Sequence, residues 1–323
     1  MPSLVVSRRR LLVTGLVAPA AWSLAGCLGD DWSDLADVDL TLATGNPGGV
    51  FMRYGEALAT VLARRLDGLT ARTIATDASV ENLRLVAEGG ADLGFSLGDT
   101  ASDASRGNGS FAEPLDVQAL TRSYDSFVHL VVRADSRITA VKQLAGRRVG
   151  LGALSSGTRV TAERILGRNG LSLDDVSASG QSLQDDTAAL EAGDLDAFFF
   201  VSGLPNEAVL DLSRRTTIRL VDLSESVDPM AETYGPEYVD GLVPASTYDL
   251  PDVVPTVSVK NYLVVSSGMS DDVAYAVCRV IFEAQDAIDR IAPGVPQPNL
   301  NAAIFTSPLD LHPGALRYFR ERG

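Results

Sequence analysis

Lysine is almost missing from this sequence. Of 27 basic residues only Lys142 and Lys260 are lysines, and they face 42 acidic residues. The formal net charge of −15, with no basic run beyond Arg8–Arg10, excludes a nucleic-acid-binding surface, which needs clustered cations to displace counterions. Cysteine is equally scarce. Cys27 and Cys278 are too few for a disulfide-rich scaffold or a cysteine zinc site. His129 and His312 are the only histidines and leave little for acid–base or metal chemistry. No Asp/Glu/His cluster has metal-ligand spacing, and no cofactor is implied. After the first 26 residues no segment approaches the ~20 apolar residues that a membrane span needs. What remains is a chain of 323 residues, 46% of them apolar. That length suits two domains or one large one, with material for a sizeable core and against disorder.

The N-terminus reads as a targeting segment. Arg8-Arg9-Arg10 precedes an apolar stretch from Leu11 to Leu24, the length of a secretory h-region and too short to cross a bilayer. Ser7-Arg8-Arg9-Arg10-Leu11-Leu12 is similar to the twin-arginine export signature, with the general secretory route as the alternative. Leu24-Ala25-Gly26-Cys27 resembles a bacterial lipobox directly after that stretch. Residues 1–26 are then a signal peptide and 27–37 a polar tether. Lipidated Cys27 would hold a periplasmic or cell-surface domain to a membrane.

The rest of the chain alternates strand and helix signals. Val38–Leu42, Thr70–Thr76 and Ala91–Phe95 read as strands. Between them, Val50, Tyr54, Ala57, Leu58, Val61 and Leu62 recur at helical spacing, and Ser79 is a natural N-cap for a second helix. This order predicts a parallel α/β sheet. A second run begins near residue 127, with strands at Phe127–Arg133, Arg147–Leu151, Asp194–Val201 and Ile218–Val221. Val273 to Ile291 reads as one long amphipathic helix. The turn-rich segment Pro244–Pro255 carries the chain back toward the first lobe. The expected fold is therefore two α/β lobes, 38–126 plus 255–323 and 127–254, with a cleft between them.

Three loops follow a strand and open a helix: Gly45–Gly49, Asp77–Ser79 and Gly152–Thr158. Ligands of open α/β sheets bind at such turns, and free N–H groups at a helix start favour an anion. Ser155, Ser156 and Thr158 add hydroxyl donors. Ordinary βα turns with good N-caps would look the same. Two enzyme motifs compete. Gly150-Leu151-Gly152 has its third glycine at Gly157, two positions too late for a dinucleotide fingerprint, and Thr158 stands where a Walker lysine would. Gly94-Phe95-Ser96-Leu97-Gly98 matches the nucleophile elbow, with His312 placed late enough to complete a triad. The other role for Ser96 is hydrogen bonding at a strand end. His129, inside an apolar strand, reads as a core or rim histidine. Cys278 reads as packing.

Several segments, in this order, resemble the TAXI branch of TRAP-transporter solute-binding proteins over nearly all of the mature chain. They are Thr44–Val50, Ser79–Leu83, Gly90–Gly94, Leu144–Val149, Ser156–Thr158, Asp196–Phe199, Gly203–Pro205 and Leu311–Ala315. The resemblance implies a two-lobed type II periplasmic-binding-protein fold with a hinge and a closing cleft. It implies a monomeric binding protein, not an enzyme, that delivers a small carboxylate (a glutamate-like amino acid or a dicarboxylate) to a TRAP-type membrane permease. By position, Gly48 and Gly49 would approach the ligand and Ser79 and Asn82 would donate to it. Ser155, Ser156, Gly157 and Thr158 would hold a carboxylate, with Ser202 and Pro205 along the other lobe's edge and Ser96 at the strand end. Phe51 stands where the family often has tyrosine, and Ala78 where glycine is common. Arg53 is either a cation for a second carboxylate or a solvated helix arginine. The alternatives are a serine hydrolase built on Ser96 and a binding protein coupled to a sensor receptor.

Overall fold

The structure is a computed structural model that describes Leu35 and residues 37–322. The expected signal peptide, Cys27 and all of the expected tether except Leu35 and Asp37 lie outside the described residues. Leu35 is buried in the core, and the Asp37 amide donates to Gly68 O.

Ten strands of the described residues join in one sheet, in the order β2-β1-β3-β10-β4-β7-β5-β6, with β9 added to β10 and β8 to β4. The first lobe is built from β1 (Val38–Ala43), β2 (Leu69–Ile74) and β3 (Leu93–Leu97). These pair in parallel, as the alternation of strand and helix predicts. The second lobe has β5 (Arg148–Gly150), β6 (Ser177–Ser179) and β7 (Ala197–Ser202), also parallel. Two long strands run through both lobes: β4 (Val117–Arg133) and β10 (Val254–Ser266). They pair antiparallel with each other, and β10 also pairs antiparallel with β3, so the sheet is mixed. β4 begins ten residues before the strand expected at Phe127. The stretch of it just before Phe127, Thr121 to Ser126, is polar enough to hide the pattern. β8 (Ile218–Leu220) and β9 (Tyr238–Val243) complete the second lobe.

Alternation along the crossing strands sorts side chains onto opposite faces. Val128, Leu130 and Val132 pack on one side, with α4 (Gly157–Arg168) and α7 (Val227–Tyr234). Val131 packs on the other, with α5 (Leu183–Ala192) and α6 (Glu207–Arg215). In the first lobe α1 (Val50–Arg65) covers one face with Val50, Tyr54, Leu58, Val61 and Leu62. α2 (Ser79–Ala87) and α3 (Gly98–Arg106) cover the other. The single long helix expected near the end is two, α8 (Asp271–Glu283) and α9 (Gln285–Ile291). The helix stops at Ala284, where Gln285 is tied to the 297–298 segment: its side chain donates to Pro298 O and its carbonyl accepts from Gln297. The break lets α9 pack against α1. α10 (Pro313–Arg322) closes the chain against α8.

A charged network joins the lobes beside β9. Asp99 on α3 has no exposed side-chain surface. It accepts from Tyr238 Oη at 2.5 Å, Thr161 Oγ1 at 2.9 Å and the Thr100 amide at 2.6 Å. Arg164 on α4 pairs with Asp103 at 2.5 Å, donates to Tyr238 Oη at 3.1 Å and lies over the Tyr234 ring. Burial raises the Asp103 carboxyl above its ordinary value, and Arg164 opposes that rise.

Candidate functional site

One cavity lies between the lobes at the carboxyl ends of their strands. Its walls are the β1–α1 loop (Gly45, Asn46, Gly49), the first turn of α1 (Phe51), the β2–α2 turn (Asp77, Ala78), Ser79, the β5–α4 loop with Ser156, Gly157 and Thr158, and the end of β7 with Ser202. Tyr124 and Ser126 of β4 and Leu97 of β3 complete it. The free space is about 40 Å³, room for about three water molecules. The lobes are closed onto each other here.

Two backbone positions explain the close approach. A Cβ on Gly157 would lie 2.5 Å from Ser79 Oγ and 2.7 Å from Leu97 Cδ1, so this second-lobe residue touches the first lobe only because it is glycine. Ala78 has φ +85°, the left-handed side where glycine is at ease. The alanine holds a conformation that costs about 1–3 kcal/mol, a strain typical of ligand clamps.

Three helices begin at this cavity: α1, α2 and α4. The first amides of a helix lack an intrahelical acceptor. Those of Val50, Phe51, Ser79, Val80, Gly157 and Thr158 have no hydrogen-bond partner among the described residues. Helix dipoles add partial positive charge at the same places. The hydroxyls are less free. Ser156 Oγ caps α4, accepting from the Arg159 amide at 3.0 Å and donating to Ala153 O at 2.7 Å, so both of its roles are taken. Ser79 Oγ accepts from the Leu97 amide at 3.0 Å and Thr158 Oγ1 from the Val201 amide at 3.2 Å. Each keeps its proton to donate. Ser202 Oγ accepts from Asn206 and also keeps its proton.

No Lys or Arg lines the cavity, and Asp77 does, with its carboxylate accepting from the Ser155 amide at 3.2 Å. Arg53 is turned away. It pairs with Glu207 of α6 at 3.1 Å and donates to Pro293 O at 3.1 Å, tying the lobes at the rim.

Seven of the residues singled out in the sequence border this cavity: Gly49, Phe51, Ser79, Ser156, Gly157, Thr158 and Ser202. Five do not. Asn82 is fully buried and serves the backbone, donating to Thr44 O and Phe95 O and accepting from Thr76. Ser96 is fully buried and donates to Leu97 O. Ser155 links the lobes through its backbone, to Asp77 and Glu81. Gly48 (φ +77°) makes the bend of its loop, beside Pro47, whose carbonyl accepts from Gln184 of the second lobe. Pro205 stands half-buried ahead of α6. Tyr124 and Ser126 line the cavity without having been singled out, and Asn46 and Asp77 line it from the two loops that were, although neither was expected to touch the ligand. The one usable signal was the aromatic Tyr124 in the polar stretch Thr121–Ser126.

The hydrolase alternative does not survive this geometry. Both ring nitrogens of His312 are engaged, with Met269 O at 3.0 Å and the Gly314 amide at 3.2 Å. Burial lowers its pKa. His129 is a core residue bonded to Phe127 O and Tyr248 Oη, and burial pushes it down to about 4. Neither histidine is a base for Ser96. Cys278 is buried, as its helix face predicts. Among the described residues no group of three or more His, Cys, Asp or Glu could hold a metal, and no helix is long and apolar enough to cross a membrane.

Two α/β lobes joined by crossing strands, with helix starts facing a shared cleft, define the type II periplasmic-binding-protein fold. Solved structures agree. PhnD1 from Prochlorococcus marinus MIT 9301, in complex with methylphosphonate, is similar at 15% identity and a TM-score of 0.52, over 78% of this chain and 88% of that one. A protein from Bordetella bronchiseptica RB50 is similar at 17% identity and a TM-score of 0.53, over 88% and 89%. The binding-protein component of an ABC phosphonate transporter from Pseudomonas aeruginosa is similar at 9% identity and a TM-score of 0.50, over 81% and 80%. Residues 42–323 match the family described as NMT1-like, and the chain belongs to that family. The likeness to these structures is one of fold.

Proposed function

We propose that this chain is an extracytoplasmic solute-binding protein that captures a small carboxylate between its lobes and hands it to a membrane permease. The observation that carries this reading is the set of six unpartnered amides at the starts of α1, α2 and α4, five of them (Val50, Phe51, Ser79, Gly157 and Thr158) on residues that line one cavity. Backbone N–H groups with helix dipoles behind them hold an anion without a cation. The Asp77 carboxylate and the lack of lysine or arginine favour a singly charged head group over a dianion. On that ground we favour a carboxylate over the phosphonate named for two structural relatives. The ammonium of a glutamate-like amino acid would suit Asp77. In this reading the lobes are 38–126 plus 255–323 and 127–254, and β4 and β10 supply the hinge. The solute enters with the lobes apart, and closure follows from its tighter binding to the closed form. The TAXI-like segments support a TRAP-type permease, and the lipobox-like Leu24–Cys27 supports an anchor at Cys27.

A thermal-shift and calorimetric series on the chain from Cys27 onward tests this, with glutamate, glutarate, acetate and methylphosphonate. Carboxylates are expected to raise the melting temperature through linkage. A response to methylphosphonate alone would overturn the carboxylate assignment.

A further inference from the structure

Among the described residues Tyr124 is the one that lines the cavity with its side-chain polar atom buried and without a partner. The residue is 7% exposed. Its ring lies 6.3 Å from Phe51, which stacks on Phe95 at 5.2 Å. On its other side it meets Gly203 of the second lobe, where a Cβ would come within 3.0 Å of the ring, and Pro296 touches the same glycine position. Tyr54 is fully buried, packs edge-on against Phe95 and does not border the cavity. Its hydroxyl is also without a partner. Burial holds both phenols in the protonated, donating form. Every other polar side chain that faces this space has at least one protein hydrogen bond, from the capping Ser156 to Ser126, which is paired with Asn261.

A buried phenol that makes no hydrogen bond costs stability, so such a group in a binding cleft marks a bond completed by something else. We infer that Tyr124 is a specificity residue: its hydroxyl donates to an oxygen acceptor on the end of the solute remote from the carboxylate held by the helix starts. This inference rests on the carboxylate reading and deepens it. A neutral donor on the crossing strand β4 recognises a second carboxylate, amide or hydroxyl oxygen and leaves a methyl end unrewarded. Gly203, next to Ser202 that pairs with Phe127 of the same strand β4, covers this donor from the second lobe's side. A solute lacking the acceptor therefore leaves the hydroxyl stranded in the closed form.

The test is calorimetric titration of the chain from Cys27 onward with two matched pairs: glutarate against valerate, and glutamate against 2-aminopentanoate. Wild type is expected to bind the member with the second acceptor about tenfold more tightly, the size of one well-made hydrogen bond. Tyr124→Phe is expected to cost that member about tenfold more than it costs its partner. The phenylalanine keeps the ring and removes only an unpartnered hydroxyl, so a melting temperature equal to or above wild type shows that the variant folds. If wild type discriminates and Tyr124→Phe discriminates equally, Tyr124 is not the determinant. If wild type binds both members of each pair alike, the inference falls and the carboxylate reading stands. If no carboxylate binds, both fall.

Discussion

The cleft and the network beside β9 both join the two lobes, and they are built in opposite ways. At the network these charges are answered: Asp99 by three hydroxyls and an amide, Asp103 by Arg164, and Arg164 by Tyr238 and the Tyr234 ring as well. At the cleft the amides of three helices and the Tyr124 hydroxyl are unanswered, and no cation is present. The difference separates two tasks. The network is a finished contact that orients one lobe on the other. The cleft is unfinished, and a solute that supplies acceptors gains there what the protein alone does not. For the anionic solute proposed above, attraction to an acidic chain would be confined to backbone donors inside the cleft.

The comparison breaks most severely at Arg164. Arg164→Leu strands two acidic groups in a buried site and is expected to cost about 3–5 kcal/mol of stability. Urea unfolding measures it, and a loss under 1 kcal/mol would show that the network is solvated. Next in size is Gly157→Ala. The new Cβ meets Ser79 and Leu97 only when the lobes close. It should leave folding unchanged and weaken solute binding on the order of 100-fold, within the usual span of conformational coupling. Scattering should show the lobes apart with solute present. Wild-type affinity would mean that the cleft does not shut this way.

A pH-dependent effect sharpens the contrast with a carboxylate that has no cation. Asp186 is buried under Gly150, with Ser179 at 3.4 Å as its only side-chain donor. Burial pushes it up to about 7. Its folded pKa lies above the unfolded one, so stability is full at low pH and is lost as pH rises from about 4 to 7. The slope is about 1.4 kcal/mol per pH unit. Asp186→Asn should flatten that stretch of the stability curve, measured by denaturation across pH.

The order of elements and the three βα loops were legible because strand and helix periods are local. Gly49, Ser79 and Gly157 follow from them, since a loop that opens a helix exposes its first amides wherever it lies. What was hidden depends on partners far along the chain. Asn82 and Ser96 carry the right chemistry for a ligand, but their acceptors are main-chain oxygens. Ser156 looks like a ligand donor and spends both bonds on its own cap. Tyr124 sits in a stretch of β4 whose polar residues bond across to β10 and to the 303 region, pairings that sequence pattern does not carry.

Strand β10 has a further consequence, for how the chain folds. It lies between β3 and β4 in the first lobe and pairs with β9 and β4 in the second, yet it is made of residues 254–266. Neither lobe's part of the sheet is complete until most of the chain has been synthesised. The first lobe must wait with β3 and β4 unjoined for the whole second lobe to be made. Such nonlocal pairing makes folding slow and leaves edges exposed meanwhile. A chain cut before Val254 lacks the central strand of both lobes and is expected to yield no folded lobe at all.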